Sequence, residues 1–275
     1  VKDALLTNFW YQRYIISAKA KRGESMTIET ILFLLGMSLL AGILNGIVGM
    51  AALTLYPVLL SVGVAPITAN ATNTIGLLFS GSSAVAASRH ELKDHWHQAL
   101  VITLLNTIGG VFGALILIHS SNAGFKRVVP FIIFLAGVLI LMPPKPASSN
   151  SSTRQHLRWL GYVLVMLVGI YVGYFGAGAG LLMVAVLSRL VEGPYATYNA
   201  MRNLASLVNN LVTSIMFIFS MPIAWGVLIP VCIGLFAGGF LGPVIVRLIP
   251  SRIIKTAVGI FALGLAVFLF YQAYL

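Results

Sequence analysis

Eight apolar stretches run through this sequence, at about 30–60, 67–87, 98–119, 127–142, 159–188, 196–219, 222–246 and 253–274. A helix needs about 20 consecutive apolar residues to cross the hydrocarbon core of a bilayer. The plain reading is an all-α, polytopic integral membrane protein with about eight membrane segments. Composition points the same way. Of 275 residues, 59% are apolar and only 8% are charged, against roughly a quarter charged in a soluble domain. A soluble enzyme, a nucleic-acid-binding domain and a disordered chain are excluded.

Two stretches do not fit a simple span. Those at 30–60 and 159–188 hold about thirty residues each, which as straight helices would reach about 45 Å across a core of about 30 Å. Each is interrupted by glycine: Gly42, Gly46 and Gly49 in the first, Gly169, Gly173, Gly176, Gly178 and Gly180 in the second. The first three glycines of each set match at a constant offset of 127 residues. After a two-residue insertion the offset becomes 129, and it matches Asn70-Ala71 to Asn199-Ala200, Trp96 to Trp225, Gly109-Gly110 to Gly238-Gly239, Gly113 to Gly242 and Lys126 to Lys255. One register kept through asparagine, tryptophan, glycine and lysine marks a duplication. The expected organisation is a basic arm at 1–27, a first repeat at 28–142, a polar Ser/Pro linker at 143–158 and a second repeat at 159–275. Each repeat opens with a long glycine-broken segment.

The formal net charge is +11. In a membrane chain this suits cytoplasmic loops and lipid headgroups, not nucleic acid. The arm carries Lys2, Arg13, Lys19, Lys21 and Arg22 beside Phe9, Trp10, Tyr11 and Tyr14, and is expected on the cytoplasmic headgroups with no cleaved leader. Eight spans with the N-terminus inside place ten cations inside and six outside. If each long segment is instead a re-entrant hairpin, the repeats are inverted and the balance is seven to nine, so the parallel arrangement ranks first. Cys232 is the single cysteine, so no internal disulfide or thiol–metal cluster can form.

Repeated halves with glycine-interrupted segments at matching positions are the mark of a secondary transporter, with its substrate site at the breaks. Glycine there either packs helices closely or leaves amides free at a helix N-terminus for an anion. Asn45, Asn70, Asn73, Asn106, Asn199, Asn203, Asn209 and Asn210 lie in or beside apolar stretches, where a buried amide needs partners. Interhelical bonding suits Asn106 and one of Asn209 and Asn210. Asn70 and Asn199 either cap a half-helix or donate to an oxyanion. Arg202 is the one strongly basic residue inside a span, and it either binds an anion or snorkels to the nearer surface. No carboxylate lies deep in a span, so a buried carboxylate proton relay is not expected. No catalytic residue, metal ligand or cofactor is expected either.

The run Gly46-Ile47-Val48-Gly49-Met50-Ala51-Ala52, then Pro57, then Ala69-Asn70-Ala71-Thr72-Asn73 resembles the N-terminal signature of the TauE/SafE sulfite exporter family. Gly173 to Gly180, followed by Asn199-Ala200-Met201-Arg202-Asn203, resembles its second-half counterpart. The similarity covers about residues 28–275. It departs from the family pattern at Gly49-Met50-Ala51-Ala52, where one glycine stands in place of a cluster. The resemblance implies a bacterial inner-membrane permease for sulfite, sulfonates or other small sulfur-containing anions. The expected site comprises Asn45, Gly46, Gly49, Asn70, Asn73, Gly176, Gly178, Gly180, Asn199, Arg202 and Asn203. Expected partners are a small anionic substrate, membrane lipids and a coupling proton or sodium ion. An anion channel and a scaffold or assembly factor without flux are the alternatives.

Overall fold

A computed structural model describes residues 27–125 except 94, residues 151–246 except 192 and 193, and isolated positions between 127 and 138 and between 256 and 271. The arm at 1–26, most of the stretches at 127–142 and 253–274, and the linker from 143 to 150 lie outside the described residues.

The described residues form helices α1 (Ile28–Val48), α2 (Ala51–Ser61), α3 (Pro66–Ala87), α4 (Trp96–Ile118), α5 (Ser151–Tyr174), α6 (Ala179–Leu190), α7 (Tyr195–Ser220) and α8 (Trp225–Val246), with a 3-10 turn at Arg89–Leu92. No strand occurs among them. Local chemistry sets the ends. The Thr27 hydroxyl accepts from the Thr30 amide at 3.4 Å and opens α1. Pro66 occupies the first turn of α3, where its missing N–H costs nothing. α7 follows Pro194. α5 starts inside the stretch expected to be linker, at Ser151.

Four of these helices are long and apolar enough to cross a membrane: Ile28–Val48, Trp96–Ile118, Tyr195–Ser220 and Trp225–Ile245. The expected eight are not all found among the described residues, for two reasons. Both long stretches divide into a longer and a shorter helix, and two stretches lie largely outside the described residues. α3 has the length, at 22 residues, but its polar residues dilute its hydropathy. Those residues face inward: Asn70, Thr72, Asn73, Thr74, Ser80 and Ser83 are all buried.

The outside of the molecule is apolar, and a set of polar groups is buried within an apolar interior. Phe219 is 85% exposed, and Ile215, Ile229, Ile233, Phe236, Phe240, Leu104 and Phe112 also face outward. A surface of this kind needs lipid against it, since soluble proteins rarely expose large contiguous apolar patches. The interior holds Asn106, Asn199, Arg202, Asn203, Asn209 and Asn210 beside the apolar core.

The most extensive helix contacts are between α1 and α8 and between α4 and α5. Glycine makes both possible. A Cβ on Gly42 would stand 2.7 Å from the Leu235 carbonyl, and one on Gly46 would stand 2.8 Å from the Gly242 Cα. Across the other interface, Gly109 and Gly113 press on the backbone of α5, while Gly169 and Gly173 press on that of α4. Lipid supplies no hydrophobic drive between helices, so backbones this close gain their stability from van der Waals contact. The packing reading of glycine therefore holds for these positions. α3 and α7 lie against each other between the two pairs.

Candidate functional site

α1 stops because Gly49 adopts φ +74, a left-handed conformation that directs its amide back to the carbonyls of Asn45 at 2.8 Å and Leu44 at 3.1 Å. α2 restarts two residues later, at Ala51. α5 stops in the same manner. The Gly176 amide, at φ +73, bonds the Tyr171 carbonyl at 2.9 Å, and Gly178 at φ +75 leads into α6. The Tyr171 hydroxyl donates to the Ala177 carbonyl and holds this second break in shape.

The two breaks touch. A Cβ on Gly180 would stand 2.5 Å from the Val48 carbonyl, and one on Gly49 would stand 2.6 Å from the Gly180 Cα. The first turns of α2 and α6, the positive ends of those helices, are thereby brought together.

Arg202, eight residues into α7, is 1% exposed. It is buried and does not snorkel. Its Nη2 donates to the Asn199 Oδ1 at 2.6 Å, to the Asn45 carbonyl at 2.9 Å and to the Gly46 carbonyl at 3.4 Å. The guanidinium thus caps the negative end of α1. Its direct partners are the Asn199 side-chain oxygen and two carbonyls of the last turn of α1, of which the Asn45 carbonyl accepts from both Arg202 and the Gly49 amide. These three acceptors are carbonyl and amide oxygens, which carry no countercharge. The Arg202 Nε is buried with no hydrogen-bond partner.

Beside the guanidinium lies a cavity of about 30 Å³. The first break contributes Asn45, Gly49 and Ala52; the second contributes Val172, Phe175, Gly176, Ala179 and Gly180. α7 adds Arg202, Ser206 and Asn210, and α3 adds Thr74 and Leu77.

Of the expected site residues, Asn45, Gly49, Gly176, Gly180 and Arg202 line this cavity. The others do not. Gly46 packs on α8 and offers its carbonyl to Arg202 and, at 2.9 Å, to the Asn199 Nδ2. Gly178 is the residue that opens α6. Asn70 donates from Nδ2 to the Tyr174 carbonyl at 3.0 Å, so both Asn70 and Asn199 serve the carbonyl end of a broken helix rather than its amide end. Asn73 is buried with its Oδ1 unpartnered. Asn203 donates to the Ser88 Oγ at 3.4 Å.

Asn209 bonds Asn106 through both the main-chain carbonyl at 2.8 Å and the side-chain oxygen at 2.9 Å, which is the interhelical role expected for that pair. The cavity residues outside the expected set are Ala52, Thr74, Leu77, Val172, Phe175, Ala179, Ser206 and Asn210. The spacing of four from Arg202 to Ser206 to Asn210, one helical stripe, was the available signal for two of them. Tyr195, whose hydroxyl bonds the Ile47 carbonyl at 2.9 Å, supports the first break from α7; nothing in its spacing marked it.

A family model described as "Sulfite exporter TauE/SafE" matches residues 34–269. Among curated proteins, the chain is 23% identical to "Probable membrane transporter protein ORF9" of Sinorhizobium sp, over 89% of this chain and 94% of that one. It is 25% identical to a "Probable membrane transporter protein" of Haemophilus influenzae, over 78% and 84% respectively. It is 24% identical to "Probable membrane transporter protein YfcA" of Escherichia coli, over 86% and 88%. No solved structure matches the chain.

Proposed function

Since the chain belongs to the sulfite exporter TauE/SafE family, we propose that it is a secondary transporter moving a small, sulfur-containing oxyanion, such as sulfite or an organosulfonate, across the bacterial inner membrane. One observation carries this reading: the buried Arg202 guanidinium, its Nε without a partner, lines a cavity between two helix breaks. A guanidinium keeps its charge, and here its acceptors are neutral oxygens. An anion in the cavity supplies the missing charge. It accepts from the planar fork of Arg202, from amides in the first turns of α2 and α6 and from the Ser206 hydroxyl and Asn210 amide. The cavity is small: one water needs roughly 10–15 Å³ on this measure. A compact oxyanion suits it better than a bulky organic acid.

In this reading the two repeats supply four membrane segments each, with the N-terminus cytoplasmic, and substrate crosses as one half rocks against the other. Supporting it, α3 and α7 start at positions 129 apart, and α1–α8 packing has its counterpart in α4–α5 packing. The names of the relatives, each a probable membrane transporter, support flux over a purely structural role.

The deciding experiment is uptake into liposomes holding the purified protein, with sulfite, a sulfonate, thiosulfate and acetate offered in turn. Saturable flux of one or more sulfur oxyanions, lost in Arg202→Gln at equal reconstitution, is the expected result. Equal flux of acetate and sulfite, or wild-type flux in Arg202→Gln, would overturn the reading.

A further inference from the structure

The offset of 129 that matches Asn70 to Asn199 also matches Asn73 to Arg202. The position that carries a fixed cation on α7 carries a neutral amide on α3. The surroundings correspond as well. Asn199 holds the Gly46 carbonyl through Nδ2 and presents its Oδ1 to the guanidinium. Asn70 holds the Tyr174 carbonyl through Nδ2 in the same way, but its Oδ1 has no hydrogen-bond partner, and neither has the Oδ1 of Asn73. Both residues are 1% exposed. They stand three apart on α3 and share a face. Thr74, beside them, lines the cavity together with Val172 and Gly176 at the end of α5.

Two buried amide oxygens without donors stand three residues apart on α3, the first on a side chain bonded to the carbonyl end of α5, and such oxygens are costly to leave unpartnered. On α7 the guanidinium neutralises the equivalent spot. On α3 no side chain among the described residues does so.

We propose that an alkali-metal cation occupies the α3 spot, ligated by the Asn70 Oδ1, the Asn73 Oδ1 and carbonyl oxygens at the end of α5. Hard cations take oxygen ligands, and carbonyls at the ends of broken helices are a recurring source of them in membranes. The ligands are neutral, so a single charge is the match. Among the described residues no group of three His, Cys, Asp or Glu stands ready to hold a metal, which removes the countercharge a divalent ion needs. Sodium and potassium share this chemistry. The ion and Arg202 then form a pair of cations at the two helix breaks, one exchangeable and one tethered. Only the exchangeable one can link anion movement to an ion gradient. The inference rests on the correspondence of the two halves and stands whichever anion is carried.

The test is thermal unfolding of the purified full chain, without substrate, in choline chloride, sodium chloride and potassium chloride at equal ionic strength. A ligand that binds only the folded state raises Tm with concentration. A saturable rise of several degrees over choline is expected in sodium or potassium, and the more effective salt names the ion. Asn73→Leu is expected to lose that rise, and Asn73→Asp to shift its midpoint to about tenfold lower salt. Asn73→Arg supplies a tethered charge and should unfold at one temperature in all three salts. Gly36→Ala, at an open position on α1, should keep the wild-type response. No rise over choline in either salt overturns the proposal, as does an undiminished rise in Asn73→Leu. If Asn73→Leu does not fold, an unchanged midpoint in Asn73→Asp overturns it equally.

Discussion

Adding one methyl group at Gly180 tests the contact between the two breaks. The new Cβ would stand 2.5 Å from the Val48 carbonyl and 2.8 Å from the Gly49 carbonyl. Carbon and carbonyl oxygen meet comfortably at about 3.3–3.6 Å, so the backbones must part by nearly an ångström. Neither partner is a flexible side chain that can step aside. Overpacking of this kind costs about 1–3 kcal/mol, and each kcal/mol lowers Tm by about 2–4 °C in a chain of comparable size. The same displacement moves Gly49 relative to Arg202, which it also contacts, and opens the cavity wall. Flux should therefore fall more steeply than stability, below about a tenth of wild type, a change that needs only about 1.4 kcal/mol. The assay pairs unfolding of Gly180→Ala with liposome flux, using Gly36→Ala as the control. Gly36 has nothing within 4 Å of an added Cβ, and alanine is the better helix former by about 1 kcal/mol, so this control should melt at or above wild type. Equal Tm values for the two variants, with full flux in Gly180→Ala, would show that the breaks do not touch.

Other substitutions separate anion binding from architecture. Arg202→Lys keeps the charge but not the fork; a single ammonium reaching the Asn45 and Gly46 carbonyls has less to offer an anion, so flux should fall at least tenfold with less effect on expression than Arg202→Gln, measured by uptake at matched protein. Asn209→Leu strips two hydrogen bonds from Asn106 and should cost about 1–2 kcal/mol, read as a lower Tm, with per-molecule flux retained because Asn209 does not line the cavity. Tyr195→Phe removes the hydroxyl on the Ile47 carbonyl and should cost about 1 kcal/mol, seen in the same melt.

The glycine sets placed the breaks only roughly: Gly49, Gly176 and Gly178 take φ above zero, while Gly42, Gly46, Gly169 and Gly173 stay inside their helices. The burial of Arg202 was legible as an unusual charge in an apolar segment. Its partners were not. The Asn45 and Gly46 carbonyls lie 157 and 156 residues away in the chain, and no spacing rule reports which backbone a side chain will meet across a bundle. Glycine shows the same limit. Gly46 and Gly49 are three residues apart, yet one packs on α8 and the other lines the cavity, because α8 crosses α1 before the break and not after it. Asn70 and Asn199 were read as amides near a site, but the hydrogen-bond direction, toward carbonyls rather than an anion, depends on which end of the broken helix faces them. Span count is not decided by the described residues, because two of the eight stretches lie largely outside them. α3 was counted among the eight from its sequence at 67–87, and its buried polar residues lower its mean hydropathy without turning it toward water.

The close approach of α1 to α8 sets an order of events during synthesis. Gly46 and Gly242, whose backbones meet, are separated by 196 residues in the chain; at about 5–20 residues per second, α1 waits roughly 10–40 s for its partner. Gly110 and Gly173, by contrast, are 63 residues apart, so α5 follows α4 after only about 3–13 s. Of the two glycine-packed pairs, α4–α5 is therefore available to the growing chain before α1–α8. The glycine face of α1 must meanwhile be held by lipid or by the insertion machinery, and it becomes buried only when α8 arrives to close the molecule.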